Sequence, residues 1–173
     1  MITEMKPWYD NYCFAKECLE NDVRVFNCDM VLYYLRNYVS YKHSPKIMLD
    51  PNTKTDYKKL NMLIELDKLD GDRKGVMMEI IEKGEIAATL VPSFSANEMT
   101  DPETFPSLLF YYGMLTIKGT KGSRLILGIP NNNVRKQYYN YILNELSKHG
   151  TVNISKLRDY FDLMSFDGKW REG

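Results

Sequence analysis

The stretch Pro106–Pro130, PSLLFYYGMLTIKGTKGSRLILGIP, decides how the chain folds. Asp101 is placed to cap a helix over PETFPSLLFYY, and Gly113 is placed to end it, because glycine reaches the left-handed conformation that closes a helix. MLTIK and RLILGI then read as strands on either side of GTKGS, a hairpin signal, and Pro130 closes the hairpin.

Outward from this stretch the pattern stays regular. Downstream, Asn133 or a neighbour starts a longer helix with Val134, Tyr138, Tyr141, Ile142 and Leu146 on one face. A further helix is expected over Ser155–Leu163, and SFDGKWREG reads as a linker. Upstream, Val76–Lys83 is an expected helix with Val76, Met77, Ile80 and Ile81 apolar and Gly84 at its C′ position. EIAATLV follows, alternating Ile86, Ala88 and Leu90 as a strand does, and Ser95–Met99 fits a short helix. The order helix, strand, helix, helix, strand, strand, helix is that of a winged helix with a β-hairpin wing. The expected class is therefore mainly α with a small β-sheet (α+β). A helical segment occupies 1–70, a winged-helix-like domain 71–150, and a helix with linker 151–173.

The N-terminal third is less regular. Residues 1–26 read as irregular or hairpin-like, anchored by Trp8, Tyr9, Tyr12 and Phe14. Asn27 offers an N-cap to a helix carrying Val31, Tyr34, Leu35 and Tyr38. Residues 42–55 read as a connector, Asp56–Leu66 as a helix, and LDGDRKG, Leu69–Gly75, as the loop at a domain boundary.

Composition narrows the function classes. Of 173 residues, 44% are hydrophobic and 27% charged, which is ordinary for a folded protein and excludes a fully disordered chain. The 23 basic and 23 acidic side chains cancel, so nucleic-acid binding would need a local patch rather than a general basic excess. The 13 tyrosines suit interfaces and half-buried helix faces, since each joins a large ring to a polar tip. No apolar run approaches the roughly 20 residues that span a bilayer. The N-terminus lacks a secretory h-region, and Cys13, Cys18 and Cys28 suggest free thiols. A soluble, cytoplasmic protein without a membrane partner is expected.

Each chemical motif fails on spacing or context. The recognition helix, Asp101–Tyr112, holds Asp101 and Glu103 and no basic residue, so it would repel phosphate. Weak nucleic-acid contact is left to Lys118, Lys121 and Arg124 on the wing and to Arg135 and Lys136 on the next helix. Gly119–Ser123 joins two strands, so it presents no helix N-terminus to a phosphate. Cys13, Cys18 and Cys28 with His43 lack the spacing of a zinc site. Asp67, Asp70 and Asp72 miss the register of a calcium loop. Asp56-Tyr57-Lys58 matches part of a nuclease motif but sits on a helical pattern, and His149 is explained by its place at a helix end. No catalytic residue, cofactor or metal is assigned to this chain.

Trp8-Tyr9-Asp10-Asn11-Tyr12-Cys13-Phe14 resembles the W-Y-D-G-Y-R-F signature of an AAA-ATPase-like family of Bacteroides-type bacteria. Asn11 stands where that family has Gly and Cys13 where it has Arg; Asn tolerates the left-handed conformation Gly would adopt. FNCDMVLYYLRNYV from Phe26 (with Asn27), PSLLFYYGMLTIKG from Pro106 (with Gly113) and GIPNNNVRKQYYNYIL from Gly128 (with Pro130) resemble the same family. The resemblance implies a P-loop ATPase domain before this segment, holding ATP and Mg, and a PD-(D/E)XK nuclease-like domain of unknown function after it. The chain would be the non-catalytic middle, packing on the ATPase-like domain and linking it to the nuclease-like one. Homodimerisation through exposed Tyr and Leu is a further expectation.

Overall fold

A computed structural model describes residues 1–50, 73–93 and 103–148. It divides into two units, Met1–Gln137 and Tyr138–Gly173, taken separately below. The described residues are mainly α-helical with one small three-stranded antiparallel sheet.

The first unit opens on α1 (Ile2–Tyr9), α2 (Glu17–Glu20) and α3 (Cys28–Tyr41). The helix over 2–9 corrects the expectation of irregular backbone. Pro7 lies inside it and argues against a helix locally, because proline removes a backbone donor. The segment is helical because Met5 and Tyr9, four residues apart, share one face and form a buried cluster with Met30 and Tyr34 of α3, flanked by Trp8, Phe26 and Leu35. The hairpin-like reading holds further on, where Tyr12 and Val25 exchange backbone hydrogen bonds of 3.2 and 2.9 Å. The expected cap is in place, with Asn27 Oδ1 accepting the Met30 N–H at 3.1 Å. The helical readings at Asp56–Leu66, Ser95–Met99 and Ser155–Leu163 lie outside the described residues, as does the Asp101 cap.

α4 (Arg73–Lys83) leads through Gly84 into β1 (Glu85–Ala88). Gly84 closes the helix at φ +74°, its N–H bonded to the Ile80 carbonyl at 2.8 Å. Arg73–Gly75 belong to α4 and not to the expected loop. The cause is tertiary: Arg73 is fully buried, its guanidinium 5.1 Å from the Phe105 ring centroid, a cation–π contact that outweighs the poor helix propensity of Gly75.

α5 is Phe105–Tyr111, shorter than the expected helix. Pro106 sits in its first turn, where a missing N–H costs nothing. Gly113 ends the segment at φ +71°. β2 (Thr116–Lys121) and β3 (Arg124–Gly128) form the hairpin, and the sheet order is β1-β3-β2. The turn is tighter than GTKGS implies, because Lys121 pairs directly with Arg124. Gly122, at φ +61°, takes the first central position of a two-residue turn, the place a type II′ turn reserves for glycine. Pairing shifts between Ile117 and Gly119, so Lys118 is the extra residue of a bulge. Met77 and Ile80 of α4, Leu108 and Leu109 of α5, and Ile117 and Leu127 of the sheet are buried as the core of this part.

α6 (Asn132–Lys148) runs on from the sheet, and its first residues to Gln137 belong to the first unit. Its cap is Asn131, whose Oδ1 accepts the Val134 N–H at 3.2 Å. In the second unit, Tyr138 and Tyr141 are buried while Leu146 is exposed, so the expected apolar stripe fades toward the end of the helix. No described helix is long and apolar enough to cross a membrane.

One buried knot joins the N-terminal segment to the sheet. Thr116 Oγ1 accepts the Cys13 N–H at 2.6 Å and lies 3.2 Å from the Asn11 and Cys13 carbonyls as a donor. Ile117 N–H bonds the Cys13 carbonyl at 3.1 Å, and Asn131 Nδ2 donates to the Asp10 carbonyl at 3.0 Å. Replacing Thr116 by Val should leave the Cys13 N–H buried without its partner. Stability should fall by about 1–3 kcal/mol, read as a lower denaturation midpoint, with Thr116→Ser recovering most of the loss. An unchanged midpoint would show that the knot does not hold the two parts together.

The α1–α3 contact carries a pH signature. Tyr34 donates to Glu4 Oε2 at 2.6 Å. That bond holds the Glu4 carboxyl below its ordinary value and raises the Tyr34 phenol to about 12. The Glu4 contribution is present above its unfolded pKa and lost as pH falls through its depressed folded value. The Tyr34 contribution is present below pH 10, the ordinary phenol value, and lost as pH rises toward about 12. Chemical denaturation across pH should show stability declining on both sides, and Tyr34→Phe should flatten both limbs.

Candidate interaction groove

A groove of about 410 Å³ opens within the first unit. The segment after α1 supplies Tyr12 and Phe14, the end of α5 supplies Tyr111 and Tyr112, and the start of α3 supplies Asn27 and Asp29. Asn133 and Gln137 enter from the first turns of α6.

Local sequence explains the walls. Asn11 takes φ +77°, the left-handed conformation that Asn tolerates. The turn it makes precedes Tyr12, which is buried and stacks on Phe14 at 5.7 Å between centroids. Phe14 meets the edge of Phe110 at 5.8 Å, which ties the segment to α5. Phe14, Tyr111 and Tyr112 are nevertheless 52%, 52% and 49% exposed, so three large rings stand half in solvent around one depression. Asn133 and Gln137 are four residues apart on α6 and both are buried. Gln137 Nε2 donates to Asn133 Oδ1 at 3.4 Å, while Gln137 Oε1 is buried with no partner among the described residues. Buried polar atoms normally have partners, so an amide left unmet at a groove marks a place where another molecule can supply one.

The basic positions lie elsewhere. Lys118, Lys121 and Arg124 are exposed on the hairpin, and Arg135 and Lys136 are exposed on α6. Lys118 is the least free of them. Its stem lies where a side chain on Gly128 would project, and partial burial and then the Arg135 charge lower its pKa, against a smaller opposing pull from Glu85. The β2–β3 hairpin and the start of α6 therefore share one electrostatic neighbourhood.

The other positions singled out in the sequence pack or cap within the fold. Trp8 and Tyr9 pack in the α1–α3 cluster. The Tyr9 hydroxyl donates to the Met48 carbonyl at 2.7 Å, and burial raises its pKa. Asp10 and Pro130 are buried, Asn27 caps α3, and Gly113 turns the chain after α5. Cys13 is buried and its thiol donates to the Ala15 carbonyl at 3.2 Å. Cys28 is exposed and Cys18 half-buried. Among the described residues no three His, Cys, Asp or Glu side chains gather as metal ligands would. Asp56, Asp67, Asp70, Asp72 and His149 fall outside the described residues.

Sequence reasoning missed Asn133 and Gln137. The available signal was two amides four residues apart beside Val134, a polar pair entering the apolar face of an amphipathic helix. It missed the groove as well, because the groove is assembled from four separate segments. No family model, curated protein or solved structure matches this chain.

The Lys118 environment predicts its titration. Followed by NMR at the side-chain Nζ, Lys118 should lose its proton at lower pH than an ordinary lysine, and Arg135→Gln should move it back upward. Titration at the ordinary lysine value in both proteins would show that the two charges do not share a neighbourhood.

Proposed function

We propose that this chain is a non-catalytic interaction module, a winged-helix-like segment of an AAA-ATPase-like protein that holds other protein segments through its aromatic groove. One observation carries the reading: the helix that a DNA-binding winged helix would lay on a base edge is turned inward. Every residue from Phe105 to Phe110 is buried. The lone hydroxyl among them, Ser107, is engaged in the fold, accepting the Val91 N–H at 3.0 Å and lying 3.5 Å from the Thr89 carbonyl. What α5 offers outward is its C-terminal end, Tyr111 and Tyr112, and these are groove residues. Half-exposed aromatic rings around a depression are the usual composition of a protein-contact surface. The sheet order β1-β3-β2, with a helix before β1 and another after β3, supports the winged-helix description.

In this reading the groove is where the neighbouring ATPase-like or nuclease-like domain, or a second copy, would be braced, and ATP and Mg would belong to the preceding domain. Purified protein should hydrolyse no ATP above buffer, and a rate that survives repurification would end the reading.

A second reading rests on the shared neighbourhood of Lys118 and Arg135, which makes the wing and the start of α6 a basic surface for nucleic acid. Gel-shift titrations at two salt concentrations separate the two. The module reading expects no salt-sensitive shift. A complex at low salt that weakens steeply with added salt, and is lost on replacing Lys121, Arg124 and Arg135 together, would favour the wing.

A further inference from the structure

We propose that the groove receives an arginine side chain carried by a partner protein segment. The inference rests on the interaction reading above and names the chemistry that the groove would recognise. Three features converge. First, a buried amide in the groove wall leaves an acceptor unpartnered: Gln137 donates to Asn133, and its Oε1, shielded from solvent, has no described partner. Whatever enters must bring a donor.

Second, the lining is charged in one sense. Asp29 contributes a carboxylate, and none of the described residues around the groove is Lys, Arg or His. A cation is favoured by this lining, and an anion would meet Asp29. Third, the rings of Phe14, Tyr111 and Tyr112 are half-exposed, which gives a planar cation faces to lie against. A guanidinium meets all three conditions. It is planar, it is weakly hydrated, and it presents several N–H donors in fixed directions, so one group can stack while donating to both an amide oxygen and a carboxylate. A lysine ammonium is a compact, strongly hydrated point charge and uses the rings poorly. The chain already makes this kind of contact internally, where the Arg73 guanidinium lies over Phe105.

The test uses the whole chain and three probes: Ac-Gly-Arg-Gly-NH2, its lysine counterpart, and its citrulline counterpart, which keeps the shape without the charge. Binding is followed by NMR at the Gln137 side-chain amide and the ring signals of Phe14 and Tyr111. The arginine peptide should move these signals in a saturable way and bind about tenfold more tightly than either of the others. Asp29→Asn, an exposed position, should weaken it several-fold, and so should Phe14→Ala. Gln137→Glu should tighten it, because a carboxylate replaces a neutral acceptor. Equal binding of the arginine and citrulline peptides would overturn the guanidinium while leaving a groove that takes neutral protein segments. Signals that respond to none of the three peptides would overturn the guanidinium too. The interaction reading would fail separately, on ATP hydrolysis or on salt-dependent nucleic-acid binding by a protein whose groove is silent.

Discussion

The fold turns on a few hydrogen bonds around Thr116 and Asn131. Both side chains are buried, and both hydrogen-bond the backbone of Asp10–Cys13, more than a hundred positions earlier in the chain. A backbone segment of this kind has donors and acceptors that must be satisfied once water is excluded. Here they are satisfied by a strand residue and a helix cap rather than by a sheet partner along the full length. Asn131 is doubly committed, to Asp10 with its amide nitrogen and to the start of α6 with its oxygen. The helical N-terminal part, the sheet and the last helix of the first unit are therefore linked through one buried junction.

That junction also builds the groove. Holding Asp10–Cys13 against β2 fixes where Tyr12 and Phe14 stand, and capping α6 at Asn131 fixes where Asn133 and Gln137 enter. The walls and the amide pair share their supports, which is how a site made of side chains from distant segments acquires a defined shape. A residue that makes no contact with a partner can then still alter the groove, by moving the segment that carries its walls.

The apolar character of α5 bears on both functional readings. In a helix that reads nucleic acid, polar side chains face outward. In α5 the run FPSLLF is consumed by the core, leaving tyrosines at the exit and cations on the β2–β3 hairpin. Burial of Arg73 against Phe105 shows the same economy, since a cation that might have faced solvent is instead part of the interior next to α5. The surface chemistry left over is aromatic on the groove side and basic at the wing.

Several features were legible in the residues alone. Asn27 as a cap, Gly84 and Gly113 as helix ends, the hairpin between two β-rich runs and the left-handed Asn11 each follow from a short-range rule about dihedral angles or local hydrogen bonds, and such rules operate within a few neighbours. The helix at 2–9, Arg73–Gly75 inside α4 and the tight Gly122 turn did not follow, because each was settled by what packs against it: Met30 and Tyr34 beneath α1, Phe105 beneath Arg73, and the Lys121–Arg124 pairing across the hairpin. The groove belongs with this second set. Its amide pair, rings and carboxylate are separated by long stretches of sequence, and tertiary contacts such as the buried junction between Asp10–Cys13, Thr116 and Asn131 bring them to one place.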